Sequence, residues 1–373
     1  MIEERDFAGF AIPFTCAVAA ATFSFASIPS ASFAGAGLSF VAAGVSVLPL
    51  AWLAACKRIP VSRALGSVIL AGFLCGLVCG FSARELSVSS TAGPISISAE
   101  NFGERMKGAI DKMEFSSSGT NALVKALLTG DKTGLSKDVT SIFRESGASH
   151  ILALSGLHLG IIYATLTKIL SFTGNSHIMV IIRYMITLSI CGFYTLATGA
   201  GPSMTRAFLF ITIAQTATML HRKQSLRGIF WPALVIHLTL FPSDIGKVGF
   251  QLSYAAMAGI ACIYPHLKGI WNLPEDESDN GVDFLHRIWD VAALAISCQI
   301  SAGIPAWFYF GTFPKYFLLT NLIAAPLTGL LIPCALVCLG IELIFGNCPA
   351  ILLNITEYLC NTMTFILQVI SGM

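Results

Sequence analysis

His150-Ile151-Leu152-Ala153-Leu154-Ser155-Gly156-Leu157-His158-Leu159-Gly160 places two histidines, a serine and two glycines in a run otherwise apolar enough to enter a bilayer. Ionisable groups at membrane depth are costly, so they face a bundle interior or a water-filled cavity. Gly156 and Gly160 share one helix face, where a neighbouring backbone can approach closely or the helix can break. His150, Leu154 and His158 form a second stripe at helical spacing, with Ser155 three residues before His158. Spacing alone leaves two readings open. The segment lines a hydrated pathway, or it is a packed helix contact with hydrogen-bonded histidines.

The rest of the chain sets the environment of that segment. Hydrophobic residues make up 55% of it, charged residues 11%, and the mean hydropathy is +0.76. A soluble domain would carry roughly twice that charge, so the composition predicts an all-α polytopic membrane protein with the lipid bilayer as its surroundings. The net charge of +2 neither favours nor excludes nucleic acid, because a pore needs local positive charge, not a global excess. The 11 cysteines lie mostly in apolar runs and read as small hydrophobes. Cys75/Cys79 and Cys334/Cys338 have i,i+4 spacing without a neighbouring histidine or carboxylate, so no metal site is expected. No cofactor is expected either. The first apolar run is too long for a signal-peptide core and a second follows at once, so no cleaved leader is expected.

Hydropathy marks about eleven transmembrane or re-entrant segments. Three come first, roughly 7–28, 35–56 and 64–82. A polar stretch from Ala83 to Ser149 follows, and the remaining eight begin at His150. Gly303-Ile304-Pro305 and Ala325-Pro326 read as interruptions of the kind tolerated where backbone lines a cavity. The expected organisation is a three-helix membrane segment over residues 1–83, an extracytoplasmic part over 84–149, and a channel domain over 150–373. The basic loops Lys57–Arg63 and His221–Arg227 fall on one side, which the positive-inside rule makes cytoplasmic. That puts the N-terminus in the cytoplasm and the polar stretch outside. Acidic Glu275, Asp276, Glu277, Asp279 and Asp283 fit their cytoplasmic loop poorly but weigh little in topology.

The polar stretch has two parts. Glu85–Asn101 alternates polar and apolar residues around Gly93-Pro94, which predicts a small β-hairpin. Beyond it, Thr120 or Asn121 can cap a helix carrying Leu123, Leu127 and Leu128, and Ser136 one carrying Val139, Ile142 and Phe143. Such amphipathic pieces lie on a membrane surface or over a pore mouth. Lys125, Lys132, Lys137 and Arg144 can attract a polyanion, or form an ordinary solvated face with the interleaved Asp131, Asp138 and Glu145. Asp131, Arg144 and Glu145 are the pore-mouth candidates.

The blocks Leu128-Thr129-Gly130-Asp131-Lys132-Thr133-Gly134-Leu135-Ser136, Phe143-Arg144-Glu145-Ser146-Gly147-Ala148-Ser149-His150 and Leu154-Ser155-Gly156-Leu157-His158 resemble, in order, the signature of the ComEC competence proteins. Gly201-Pro202-Ser203-Met204-Thr205-Arg206-Ala207, Gly249-Phe250-Gln251-Leu252-Ser253-Tyr254-Ala255-Ala256 and Asn321-Leu322-Ile323-Ala324-Ala325-Pro326-Leu327 are similar to its later elements. The resemblance covers about residues 100 to 345, with blocks in the family's order and spacing. It implies an inner-membrane channel, not an enzyme, that admits single-stranded DNA to the cytoplasm during natural transformation. Long relatives carry an OB-like domain where this chain has the short Glu85–Asn101 stretch. Many also carry a metallo-β-lactamase-like nuclease, and none of the seven histidines here forms an H-x-H-x-D-H motif. The implied partners are therefore a separate nuclease, a periplasmic DNA receptor, and a cytoplasmic helicase or single-strand-binding proteins.

A strand pathway needs a wet route with cations for phosphates and planar groups for bases. The path candidates are His150, Ser155, Gly156, His158, Ser203, Arg206, Gln251, Ser253 and Asn321. Arg206 follows a Gly-Pro-Ser break at a helix start, which suits a phosphate, a salt bridge or snorkelling to headgroups. Gln251 and Ser253 face inward to a path or bond to another helix. Trp307, Phe308, Tyr309, Phe310 and Phe313 stack bases or form an interfacial belt. Two other classes compete. A small-solute secondary transporter would show midplane carboxylates, which are few here. An intramembrane serine protease would use Ser155 with His237 as a conceivable base, but the usual leading glycine is absent. No G-x-x-x-x-G-K-[ST] loop is present, so energy for translocation comes from elsewhere.

Overall fold

The computed structural model describes residues 4–24, 72–76, 94–174, 176–222, 225–270, 280–311 and 316–372. Among them the secondary structure is helical throughout. Five helical stretches are long and apolar enough to cross a membrane: Ile178–Ala197, Val248–Gly269, Ile288–Phe310, Phe317–Phe345 and Ala350–Ser371. Shorter apolar helices cover Ala8–Ala20, Gly156–Leu170 and Leu226–Leu240. The protein is an all-α, multi-pass membrane protein. The expected spans at 35–56 and 64–82, the Lys57–Arg63 loop and the acidic 275–279 run lie wholly or mostly outside the described residues.

The chain groups into two compact units, Met1–Ala92 with Leu209–Tyr254, and Gly93–Phe208 with Ala255–Met373. In the first, α1 (Glu4–Ser24) packs on α9 (Leu226–Leu240) and on the 3-10 turn Pro242–Gly246. Ala11, Phe14, Ala17 and Val18 are buried at helical spacing on α1, and Phe230, Ala233, Leu234 and Leu238 on α9. The helical piece 72–76 lies on α1, where Gly72 and Gly76 let its backbone touch those of Phe10 and Phe14.

The second unit begins with α2 (Pro94–Lys112), α3 (Ser118–Thr129), α4 (Lys137–Glu145), the single turn α5 (Ser149–Leu152) and α6 (Gly156–Leu170). Helices α7 (His177–Ala197) and α8 (Pro202–Met219) follow, the latter passing from this unit into the first. After α10 (Val248–Cys262) and α11 (Tyr264–Gly269) come α12 (Asn280–Phe310), α13 (Phe317–Phe345) and α14 (Ala350–Ser371). Along α14, Leu353, Thr356, Cys360, Met363, Leu367 and Ile370 are buried, alternating three- and four-residue steps that make one stripe against α13. Ile178, Met179, Ile181, Ile182, Met185 and Ile186 of α7 are exposed, a surface suited to lipid.

Several expectations are corrected. The hairpin is replaced over 94–101 by α2, while 85–93 lie outside the described residues. Pro94 opens that helix, where its missing N–H costs nothing, and the buried residues Ala99, Met106, Ile110 and Met113 follow a helical period. Ile95 and Ile97, which made the apparent alternation, are exposed. Helix α3 starts at Ser117, whose side chain accepts from the N–H of Gly119, so Thr120 and Asn121 are inside it. Asn121 instead donates to the Ile110 carbonyl at 2.6 Å. Nor does α3 lie on a surface: Ala122, Leu123, Val124, Ala126, Leu127 and Leu128 are buried, and it packs on α2, α13 and α14. Ser136 does cap α4, accepting from Val139 N–H at 3.2 Å. Pro305 and Pro326 do not interrupt α12 or α13. A membrane helix tolerates the loss of one hydrogen bond when its neighbours hold the remainder.

Candidate functional site

The quoted segment is where the helix breaks. α5 ends at Leu152, Ala153 and Ser155 are extended, and α6 starts at Gly156. The stripe of His150, Leu154 and His158 therefore does not lie on one helix. The cause is local chemistry. Ser155 is the N-cap of α6, and His158 reaches back so that its Nδ1 accepts the Ser155 N–H at 3.3 Å, with Ser155 Oγ 3.1 Å away.

That cap fixes the imidazole. A neutral ring whose Nδ1 accepts carries its proton on Nε2. His158 is 1% exposed, and its Nε2 has no partner among the described residues. A buried donor left unsatisfied costs about 1–3 kcal/mol.

The other signature blocks of the second unit converge on this break. Gly130, the αL C-cap of α3 at φ 76°, faces Leu154: a β-carbon there would sit 2.5 Å from Leu154 Cδ1. Only glycine meets both demands. The next residue, Asp131, accepts from Thr133 N–H at 3.0 Å and Thr133 Oγ1 at 2.7 Å, and these bonds hold its carboxyl below the usual carboxylate range. Thr320 Oγ1 donates to the buried Ser146 carbonyl at 2.6 Å, tying α13 to the segment after α4. Beside it on α13 stands Asn321, and the exposed His150 has its Nδ1 3.1 Å from the Gly147 carbonyl.

Arg206 approaches from α8. A β-carbon at Gly156 would lie 2.8 Å from Arg206 Nη2 and 3.2 Å from Ala207 Cβ. The guanidinium rests on the first turn of α6, and Ala207 packs closely on Gly156 there. Helix N-termini and guanidinium groups both favour anions. Ser203 and Arg206 are half-buried, and the turn before them is tight, with Gly199 and Ala200 both at positive φ.

Arg144 and Glu145 are exposed on α4. Gln251 and Ser253 belong to the first unit, where Gln251 donates to the Ile245 carbonyl at 2.9 Å. Trp307, Phe308, Tyr309 and Phe310 are exposed at the end of α12, as an interfacial belt requires, and Phe313 lies outside the described residues. Among the described residues no group of three or more metal-ligating side chains forms. The Ser155–His158 contact is used in the cap, and both nitrogens of His237 engage Asp244 and Tyr254.

Sequence reasoning missed Thr320 and Tyr194, whose hydroxyl donates to the Leu128 carbonyl at 2.6 Å. Their partners lie 174 and 66 residues away, and no local pattern announces such bonds.

The family model described as "Competence protein" matches residues 127–373. The chain is 29% identical over 136 residues to ComE operon protein 3 of Bacillus subtilis (strain 168). That alignment takes in 36% of this chain and 17% of the relative, so the chain spans only a small part of that protein's length. No solved structure matches.

Proposed function

The chain belongs to the competence protein family, and from that premise we propose that it is a conduit for single-stranded DNA across the inner membrane in natural transformation. The observation that carries this reading is the break before Gly156. Five signature blocks, separated along the chain, meet around it in one unit. There the first turn of α6 and Arg206 present positive character, and His158 holds a buried, unsatisfied donor. A phosphodiester offers acceptors for all of these groups. The conduit acts without chemistry of its own. A separate nuclease makes the single strand, an external receptor delivers it, and cytoplasmic helicase or single-strand-binding proteins draw it in. The N-terminus is cytoplasmic in this reading.

Arg206 tests it. In a transformable host lacking its own competence channel, Arg206→Lys keeps the charge but loses the fork, and part of the uptake survives. Arg206→Gln abolishes most of it at equal protein level. Single-strand binding by the purified Gln variant shows a log–log salt slope shallower by about 0.7 per lost phosphate contact. An unchanged slope with failed uptake would place Arg206 in folding or gating and remove the phosphate assignment.

A further inference from the structure

The first unit contains a buried ionisable chain of its own. His237 on α9 is 0% exposed and Asp244, in the turn Pro242–Gly246, is 4% exposed. His237 Nε2 lies 3.1 Å from Asp244 Oδ2, and its Nδ1 lies 3.2 Å from the Tyr254 hydroxyl on α10. That hydroxyl is 3.2 Å from the Ala233 carbonyl. The other carboxylate oxygen of Asp244 is 2.7 Å from Lys247 Nζ, and the Lys247 side chain is 58% exposed. Polar contacts thus run from a solvent-facing ammonium to a buried tyrosine.

The hydrogens available can be set against the contacts. Tyr254 brings one and a neutral imidazole brings one, against three contacts: imidazole to Asp244, imidazole to Tyr254, and Tyr254 to Ala233. An imidazolium supplies the third. Nε2–H then donates to Asp244, Nδ1–H to the Tyr254 oxygen, and Tyr254 O–H to Ala233. Aromatic rings enclose the imidazole, those of Phe250, Tyr254 and Phe241 standing 5.1, 5.7 and 6.1 Å from that of His237. Burial pushes the Asp244 carboxyl up, but hydrogen bonds from His237 and Lys247 together outweigh it and hold the group low, hence anionic.

We propose that His237 is a buried proton-binding site, held as an imidazolium between Asp244 and Tyr254, whose proton fastens α9, the turn and α10 together. The other ionisable groups around it are few. α9 adds Arg227 near its far end, and α10 is preceded by Lys247. Residues 209–219 of α8, packed on Tyr254 through Phe210, carry none. The described side chains of α1 add only Cys16, and those of Glu4, Arg5 and Asp6 fall outside the description. When the proton leaves, a neutral ring keeps Nε2–H on Asp244, and Tyr254 must turn its hydroxyl from Ala233 to Nδ1. The inference stands independently of what crosses the membrane.

The test is nitrogen-15 magnetic resonance of the histidine-labelled full chain in lipid nanodiscs at neutral pH, with His237→Gln to assign the ring. The expected result is two protonated ring nitrogens for His237, and complete loss of that doubly protonated signal in Asp244→Asn. One protonated and one bare nitrogen in the wild type would overturn the proposal, as would an Asp244→Asn variant that keeps the cation. Should His237→Gln fail to fold, Tyr254→Phe assigns the ring instead by shifting its Nδ1 signal. The wild-type protonation count then decides the matter.

Discussion

Gly130→Ala should destabilise the protein by an amount the local geometry sets. Gly130 has φ 76°, and its added β-carbon would meet Leu154 Cδ1 at 2.5 Å. The left-handed conformation costs a residue with a β-carbon about 1–2 kcal/mol. Forcing Leu154 aside adds an overpacking cost of about 1–3 kcal/mol, so the total is about 2–5 kcal/mol. The two costs separate in a double-mutant cycle. Leu154→Ala removes the collision but not the strain in φ, so the pair should show a favourable coupling of about 1–3 kcal/mol. Gly130→Asn tolerates the conformation but keeps the collision, and falls between wild type and Gly130→Ala. Thermal unfolding of the purified variants in one lipid mimic measures all four. If Gly130→Ala unfolds within about 0.5 kcal/mol of wild type, neither the strain nor the contact exists as described. If Leu154→Ala recovers nothing, the packing of α3 against the break is wrong.

Three further outcomes follow from the site. His158→Leu loses the reciprocal cap, worth about 0.5–2 kcal/mol, but also removes an unsatisfied donor costing about 1–3 kcal/mol. The variant should therefore unfold within about 1 kcal/mol of wild type while uptake fails. Tyr194→Phe strands the Leu128 carbonyl and should cost about 1–3 kcal/mol in thermal unfolding, with no change in the single-strand salt slope. Asp131 has its folded carboxyl held low by Thr133, so its contribution is present above the unfolded carboxylate range and is lost as pH falls through the folded value. Asp131→Asn should lower the melting temperature near neutrality, and that difference should vanish in acid.

Much of this was legible in the sequence, for identifiable reasons. Hydropathy reports lipid exposure directly, so α7, α10, α12, α13 and α14 coincide with predicted spans. Ser136 was readable as a cap because cap chemistry is local. The break before Gly156 was not. Its cause is a histidine three residues into the helix bonding back to the N-cap, while the surrounding residues are apolar on either reading. Pro94 misled because Gly-Pro marks both a turn and a helix start, and only the burial of Ala99 and Met106 decides between them. Pro305 and Pro326 misled in the opposite way, since packing and lipid hold a helix through a proline that would end one in water. The burial of α3 was invisible because its neighbours α13 and α14 lie about two hundred residues away in the chain. Sequence separation also hides the ties from Thr320 to Ser146, 174 residues apart, and from Arg206 to Gly156, 50 residues apart.

Crosslinking during uptake tests the conduit most directly. A transformable host lacking its own channel would carry this chain with a single photoreactive residue at Leu157, beside the break, or at Ile182, exposed on the lipid-suited face of α7. Labelled DNA would be added, and illumination would follow while strands are in transit. The proposed path predicts covalent single-strand adducts at Leu157 and none at Ile182, with the Leu157 adduct disappearing in the Arg206→Gln background. Transformation proceeding normally without an adduct at Leu157, or with equal adducts at both positions, would contradict the assignment of the strand to this break.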